Sequence, residues 1–402
     1  MWWRAPTVVL ICGAVILTLN MGIRQGFGLF LPPMTADLAW STAAFSFATG
    51  LGVLVSGIAQ PPAGMLADRF GAGRVLFYGG LLYAAGVALM AVSFEPWQFA
   101  LTAGVMTGIA GAATGFPIVL SIVARVMPAE KRSLWLGIVS AGGSFGQMVI
   151  PVSAQLMIGG LGWATALILL GALAGVICFL VMPLAAAAPA PSGQARAGGQ
   201  SLGAALKEAS GHPGFWLMNA GFFVCGFHVS FIATHFPKYL VTCNLTTDLG
   251  AMTLAVIGGF NIVGTLLAGA LGGRYRKKYL LSLLYGLRSL LIVVFLVLPI
   301  SEWTVLGFGA IMGLLWLGTV PLTSGLVSQV FGPQYLASLF GIVLMSHQIG
   351  GFLGAFLSGW LFDLTGGYDG AWGIAIGLGV FAALIHLPIR DVAIARPAAQ
   401  PA

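Results

Sequence analysis

The chain reads as an all-α polytopic membrane protein with twelve transmembrane helices in two pseudo-twofold-related bundles of six. Three observations predict this. Charged residues make up 7% of the 402 positions and hydrophobic residues 59%, with a mean hydropathy of +1.00, whereas a soluble domain carries about 25% charge. Apolar runs of about 20 residues, long enough to cross a bilayer as helices, follow one another almost without interruption. Finally, the sequence matches itself at an offset of 204 residues. Gly22, Arg24, Phe27 and Pro33 fall on Gly226, His228, Phe231 and Pro237; Pro117 falls on Pro321; Gly137 and Gly146 fall on Gly341 and Gly350. At an offset of 205, Gly64 to Arg69 fall on Gly269 to Arg274.

The first run, 7–31, follows Met-Trp-Trp-Arg and begins like a signal peptide. It continues past 20 residues without a small-residue cleavage pattern, and eleven more runs follow, so it is read as the first helix. The second run, 42–63, leads into a glycine-rich charged connection, and the third, 75–94, stops at Glu95. The fourth, 97–122, contains Pro117; the fifth, 133–157, contains Gly142-Gly143-Ser144 and Pro151. The sixth, 164–184, precedes the one break in hydrophobicity. Beyond it lie 215–239 with Pro237, 249–272 after Asp248, and 279–299 with Arg288. The tenth run, 303–329, is expected to bend at Pro321, the eleventh, 338–362, holds Gly350-Gly351, and the twelfth is 371–389. Each proline, including Pro32-Pro33, removes a backbone donor and bends its helix. The bends shape a bundle and also suit a cavity that opens on alternate sides. The small-residue clusters let helices approach closely.

The break at 185–213 is rich in Pro, Gly, Ala and Ser and reads as a flexible linker. It separates an N-terminal bundle, 1–184, from a C-terminal bundle, 214–402. Its end, Ser201 to Ser210, suits a short helix at the membrane surface. The net charge of +7 is not a nucleic-acid signal, because of where the charges lie. Of 17 Lys and Arg residues, 14 fall in the tails and even-numbered connections; only Lys238 lies in an odd-numbered one, and Arg24 and Arg288 lie inside spans. By the positive-inside rule both termini are cytoplasmic, and the expected location is the plasma membrane, the inner membrane of a bacterium. Cys12, Cys178, Cys225 and Cys243 are scattered without metal-type spacing, so neither a functional disulfide nor a metal is expected.

The connection after the second run reads Gly64-Met-Leu-Ala-Asp68-Arg69-Phe-Gly71-Ala-Gly73-Arg74. It resembles the loop signature of the major facilitator superfamily, and two fused copies of a membrane unit suit a secondary transporter. The resemblance implies that Asp68, Arg69 and Arg74, with Gly64 and Gly71, form a gate stabilising the state closed to the cytoplasm. In the second copy Gly273 replaces the aspartate, which implies a weaker gate there. Within the superfamily, Gly22-Ile-Arg-Gln-Gly26-Phe27-Gly28-Leu-Phe30 and Lys131-Arg132-Ser-Leu-Trp-Leu-Gly137 resemble the first and fifth helices of monocarboxylate transporters and oxalate/formate exchangers. Those transporters hold a substrate carboxylate with an Asp and an Arg in the eighth helix. Asn261 and Thr265 stand there, so an organic acid needs another cation.

No Asp or Glu lies within a predicted membrane core. An arginine at a helix centre costs about 2.5–3.5 kcal/mol on insertion scales and by default marks a functional position. Arg24 is therefore the expected anion-binding cation, with snorkelling to the surface as the competing role. Its repeat mate His228 is expected to face it across the pseudo-twofold axis. Arg288 suits either the substrate or carbonyls of its own half. His347, in the eleventh helix, suits substrate or proton handling, or an interior hydrogen bond; His235 and His386 suit structural roles. Asn20, Asn261 and Trp316 are further candidate substrate contacts, and His228 and His347 are the candidate proton carriers, since histidine titrates in a suitable range.

These features predict an alternating-access transporter of a small organic anion, a monocarboxylate, working as a monomer with protons as the candidate coupling ion. The alternative is a proton-driven exporter of drugs or other hydrophobic compounds, but such exporters generally require a membrane carboxylate. Nothing points to an enzyme: no nucleophile, metal or phosphate-binding constellation appears, and no cofactor is implied.

Overall fold

The structure is a computed structural model and describes residues 6–126, 132–187, 201–332 and 335–394. Among them, twelve helices are long and apolar enough to cross a membrane. In the first half these are α1 (Pro6–Asp37), α2 (Thr42–Phe70), α3 (Ala72–Val92), α4 (Pro96–Ala124), α5 (Trp135–Leu161) and α6 (Trp163–Ala185). The second half has α7 (Pro213–Thr242), α8 (Thr247–Arg274), α9 (Lys277–Val297), α10 (Glu302–Phe331), α11 (Ser338–Thr365) and α12 (Asp369–His386). Part of the expected linker, 188–200, lies outside the described residues. Its end forms the helix Leu202–Ser210, where Ser201 Oγ accepts from the Ala204 N–H at 3.2 Å as an N-cap. The membrane face where α1 begins and α12 ends is called here the terminal face, and its opposite the far face.

Several helices outrun their apolar segments. The first continues to Asp37 and the second to Phe70, so most of the charged signature expected as a loop is the last two turns of α2. The turn itself is Gly71, whose φ of 94° favours glycine and whose N–H caps Ala67 O at 3.0 Å. Hydropathy stops where lipid stops; hydrogen bonding carries the helix on.

Three helices are irregular, each for a backbone reason. In α1, Pro32 has no N–H to give Gly28 O, and Phe27–Phe30 tightens into a 3₁₀ turn in which Leu31 N–H takes that carbonyl. In α4, Gly115 is extended between Thr114 and Phe116. The tenth helix is interrupted between Leu315 and Thr319, a turn before Pro321, where a bend was expected.

Close helix crossings account for the self-match. A Cβ on Gly22 of α1 would stand 2.6 Å from Gly146 O of α5. At the equivalent crossing of α7 and α11, a Cβ on Gly226 would overlap His347 O, and one on Gly350 would overlap Phe223 O. Two of the glycine pairs that coincide at the 204-residue offset, Gly22 with Gly226 and Gly146 with Gly350, are thus contact points where backbones touch, whereas Gly137 and Gly341 have open space. Gly226→Val is expected to lose the monodisperse peak in size-exclusion chromatography, because overpacking at backbone distance cannot relax. Gly269→Ala, where a Cβ meets nothing within 4 Å, is expected to keep it.

Among the described residues, hydrogen bonds join the halves from mid-membrane to the far face. Asn261 Nδ2 on α8 donates to Ser144 Oγ at 3.2 Å and Gln147 Oε1 at 3.3 Å on α5. Nearer the far face, Gln155 Nε2 donates to Thr247 Oγ1 at 2.8 Å and Asp248 Oδ1 at 2.9 Å. Asp363, at the end of α11, accepts from the N–H groups of Thr42 at 3.0 Å and Ala43 at 2.7 Å, the start of α2. Lys238 donates to Thr42 Oγ1 and lies 4.4 Å above the Phe362 ring. Toward the terminal face the α2 side chains Met65, Leu66 and Phe70 are exposed. This conformer is closed on the far face.

After α12 the chain is tied back by Asp391, which pairs with Arg276 through both carboxylate oxygens. The hydrogen bonds from Arg276 hold the Asp391 carboxyl below its usual range. A depressed folded-state pKa adds stability that is fully present above the unfolded value of about 4 and is lost as pH falls through the depressed value. Thermal melting is expected to show this decline below about pH 4, and Asp391→Asn to remove that component and lower the melting temperature at neutral pH.

Candidate functional site

The elements just described enclose a void of about 70 Å³ at mid-membrane, lined by α1 to α4 of the first half and α7 of the second. Arg24 lines it, together with Asn20, Gln25, Tyr83, Ser230 and Thr234. Because α1 continues to Asp37, Arg24 lies about 20 Å from the far end of its helix at 1.5 Å per residue. Its side chain faces the void, where it meets Asn20, Tyr83 and the α7 wall. The 3₁₀ turn of α1 seals the far side: a Cβ on Gly28 would overlap Ala233 O of α7.

Four side chains of the wall have spent their own donors. Tyr83 Oη donates to Asn20 O at 3.1 Å. Asn20 Nδ2 donates to Thr114 Oγ1 at 2.6 Å, beside the Gly115 interruption of α4. Thr49 Oγ1 donates to Phe45 O at 3.2 Å, and Thr107 Oγ1 to Ala103 O. Arg24 differs: it has no hydrogen bond or ion pair among the described residues. Gln25 also buries an amide nitrogen without a partner. Two neighbouring residues thus bring donors without acceptors to one small space, and such a space suits an acceptor-rich anion.

The pattern described as Major Facilitator Superfamily matches residues 10–355 and 260–402. The chain belongs to the major facilitator superfamily. It is similar to the uncharacterized MFS-type transporter YcxA of Bacillus subtilis, 26% identical over 86% of this chain and 85% of that protein. Monocarboxylate transporter 13 of Bos taurus is 26% identical over 92% and 86%, and the oxalate:formate antiporter of Oxalobacter formigenes 24% over 87% and 85%. Among solved structures, an inward-facing, unoccupied bacterial homolog of the human lysosomal transporter Spinster shares the fold, with a TM-score of 0.78, 16% identity and 96% coverage of both chains. The protein is a multi-pass transporter and not an enzyme.

Asn20 apart, the other candidate substrate contacts of this facilitator lie outside the Arg24 void. His228 does not face Arg24; it turns into the second half, where its Nε2 meets Ala375 O of α12 at 2.8 Å. Arg288 is fully buried and donates to Leu315 O and Trp316 O at the interruption of α10. Carbonyls at a broken helix end lack intrahelical partners and carry negative partial charge, so a guanidinium satisfies both. Trp316 is also fully buried at this break. Asn261 Oδ1 accepts from the Leu317 N–H at 3.1 Å and from Thr265 Oγ1 at 3.1 Å, so it braces the break and the α5 contact. His347 packs against Phe222 with ring centroids 4.9 Å apart and planes tilted by 45°, and its Nδ1 meets Gln348 Oε1 at 3.1 Å. Both nitrogens of His235 are engaged, by Tyr368 Oη at 3.0 Å and Ala355 O at 2.7 Å.

Sequence reasoning missed Gln25, Tyr83, Ser230 and Thr234. Gln25 was signalled by being a second polar residue beside Arg24 inside a span. Hydroxyl groups in helices carry no such signal, since most satisfy themselves on the preceding turn. Of the signature residues, Asp68, Arg69 and Arg74 are exposed at the terminal face in this conformer. Gly64 has open space where its Cβ would be, so packing does not require glycine there.

Proposed function

We propose that this facilitator carries a small organic anion, a monocarboxylate, by alternating access, with Arg24 as the cation that holds it. The supporting observation is the unpaired guanidinium deep in a void lined by both halves. Relatives named as monocarboxylate transporters and an oxalate:formate antiporter favour the same chemistry. Asn20 and Tyr83 shape the wall, and Gln25 offers a second donor. With His228 and His347 engaged inside the second half, the substrate's own carboxyl is left as the group to accompany a proton. Asp68, Arg69 and Arg74 would close the terminal face, which the charge bias makes cytoplasmic in a plasma membrane. One chain contains both halves, so the monomer is the working unit.

A thermal-shift screen on purified protein tests this reading. Short carboxylates are expected to raise the melting temperature of the wild type and to leave Arg24→Ala unmoved. Stabilisation by lipophilic cations alone would replace the anion carrier with an exporter of hydrophobic compounds.

A further inference from the structure

We propose that the recess between α2, α3 and α4 at the terminal face binds an anionic phospholipid, its acyl chain in the recess and its headgroup on Arg74. The recess has a volume of about 720 Å³, ten times that of the Arg24 void. It begins near Val55 and Ile109 and ends at Phe70 and Arg74. From Val55 to Phe70 is about 20 Å of helix, comparable with one leaflet of a bilayer whose core is about 30 Å thick.

Its chemistry excludes an aqueous role. Apart from Arg74 and Tyr78, the lining side chains are apolar, and Ile58, Leu66 and Phe70 are about half exposed within it. Water has almost nothing to bond there, so hydrocarbon is the occupant that matches. Lipid tails gain little by leaving the bilayer for a groove of equal polarity, and the choice among lipids therefore falls to the charged end. Arg74 is exposed at that end and has no hydrogen bond or ion pair among the described residues. A basic side chain at the mouth of an apolar pocket between membrane helices complements a phosphate headgroup. The headgroup would sit on a residue of the gate signature.

Native mass spectrometry of the full chain tests the proposal, with phosphatidylglycerol and phosphatidylcholine of identical acyl chains as probes. The wild type is expected to retain one phosphatidylglycerol about fivefold better than phosphatidylcholine, the worth of one basic residue near anionic lipid. Arg74→Gln is expected to erase the preference, and Ala59→Trp, which fills the recess, to lower retention of both lipids. Melting temperatures in phosphatidylcholine alone control for folding. Equal retention of the two lipids by the wild type, or unchanged retention in Ala59→Trp, overturns the site. A lipophilic cation that displaces the lipid and is itself transported overturns it as well.

Discussion

Arg24→Gln is expected to abolish saturable carboxylate uptake in proteoliposomes and to weaken carboxylate binding by two orders of magnitude. A charge-assisted hydrogen bond contributes about 1.5–3 kcal/mol, and a guanidinium can make two such bonds to one carboxylate. In the Arg24 void no other cation can take over, since Arg288 is committed to Leu315 O and Trp316 O. Arg24→Lys keeps the charge but loses the planar fork, and is expected to retain partial binding. Removing a half-buried, unpaired cation also relieves a desolvation cost, so Arg24→Gln should melt no lower than the wild type without substrate. Loss of transport together with a lowered melting temperature would mark Arg24 as structural instead.

Asp363→Ala is expected to open the far face. Its carboxylate holds the first turn of α2 through two backbone N–H groups, at 3.0 and 2.7 Å, and favours the positive end of that helix. The pair is partly solvated, so the latch is worth about 1–2 kcal/mol after screening, a shift in the two-state equilibrium of about 5- to 30-fold. Single-molecule energy transfer between dyes at Ala39 and Gly367, with the four free cysteines replaced, measures it. Asp363→Asn, which retains an acceptor but no charge, should fall between. An unchanged distance distribution would shift control of closure to the Gln155–Asp248 contact on the opposite flank.

The twelve helices were legible because lipid leaves the backbone no partner but itself, and a run of apolar residues therefore specifies one structure. Helix ends were not legible, since Asp37 and Asp68 sit in turns that hydropathy does not register. The place of Arg24 inside the first span was legible from its position within the apolar run. Its pairing with His228 failed because an internal repeat fixes height along a helix and leaves side-chain direction open. The His228 ring found Ala375 O on a neighbouring helix. Arg288 took the second of its two expected roles, bonding to carbonyls of its own half. Its acceptors are backbone carbonyls at the interruption of α10, which the apolar Leu315-Trp316-Leu317 stretch conceals.

The cradle around Arg24 is lopsided. Arg24, Gln25, Asn20 and Tyr83 all belong to the first half, while the second contributes Ser230, Ala233 and Thr234. Cargo would thus ride on one rigid body throughout the cycle, and the other body would serve as its moving lid. Intrinsic affinity should then be nearly the same from either side of the membrane, with the direction of net flow set by the gradients alone.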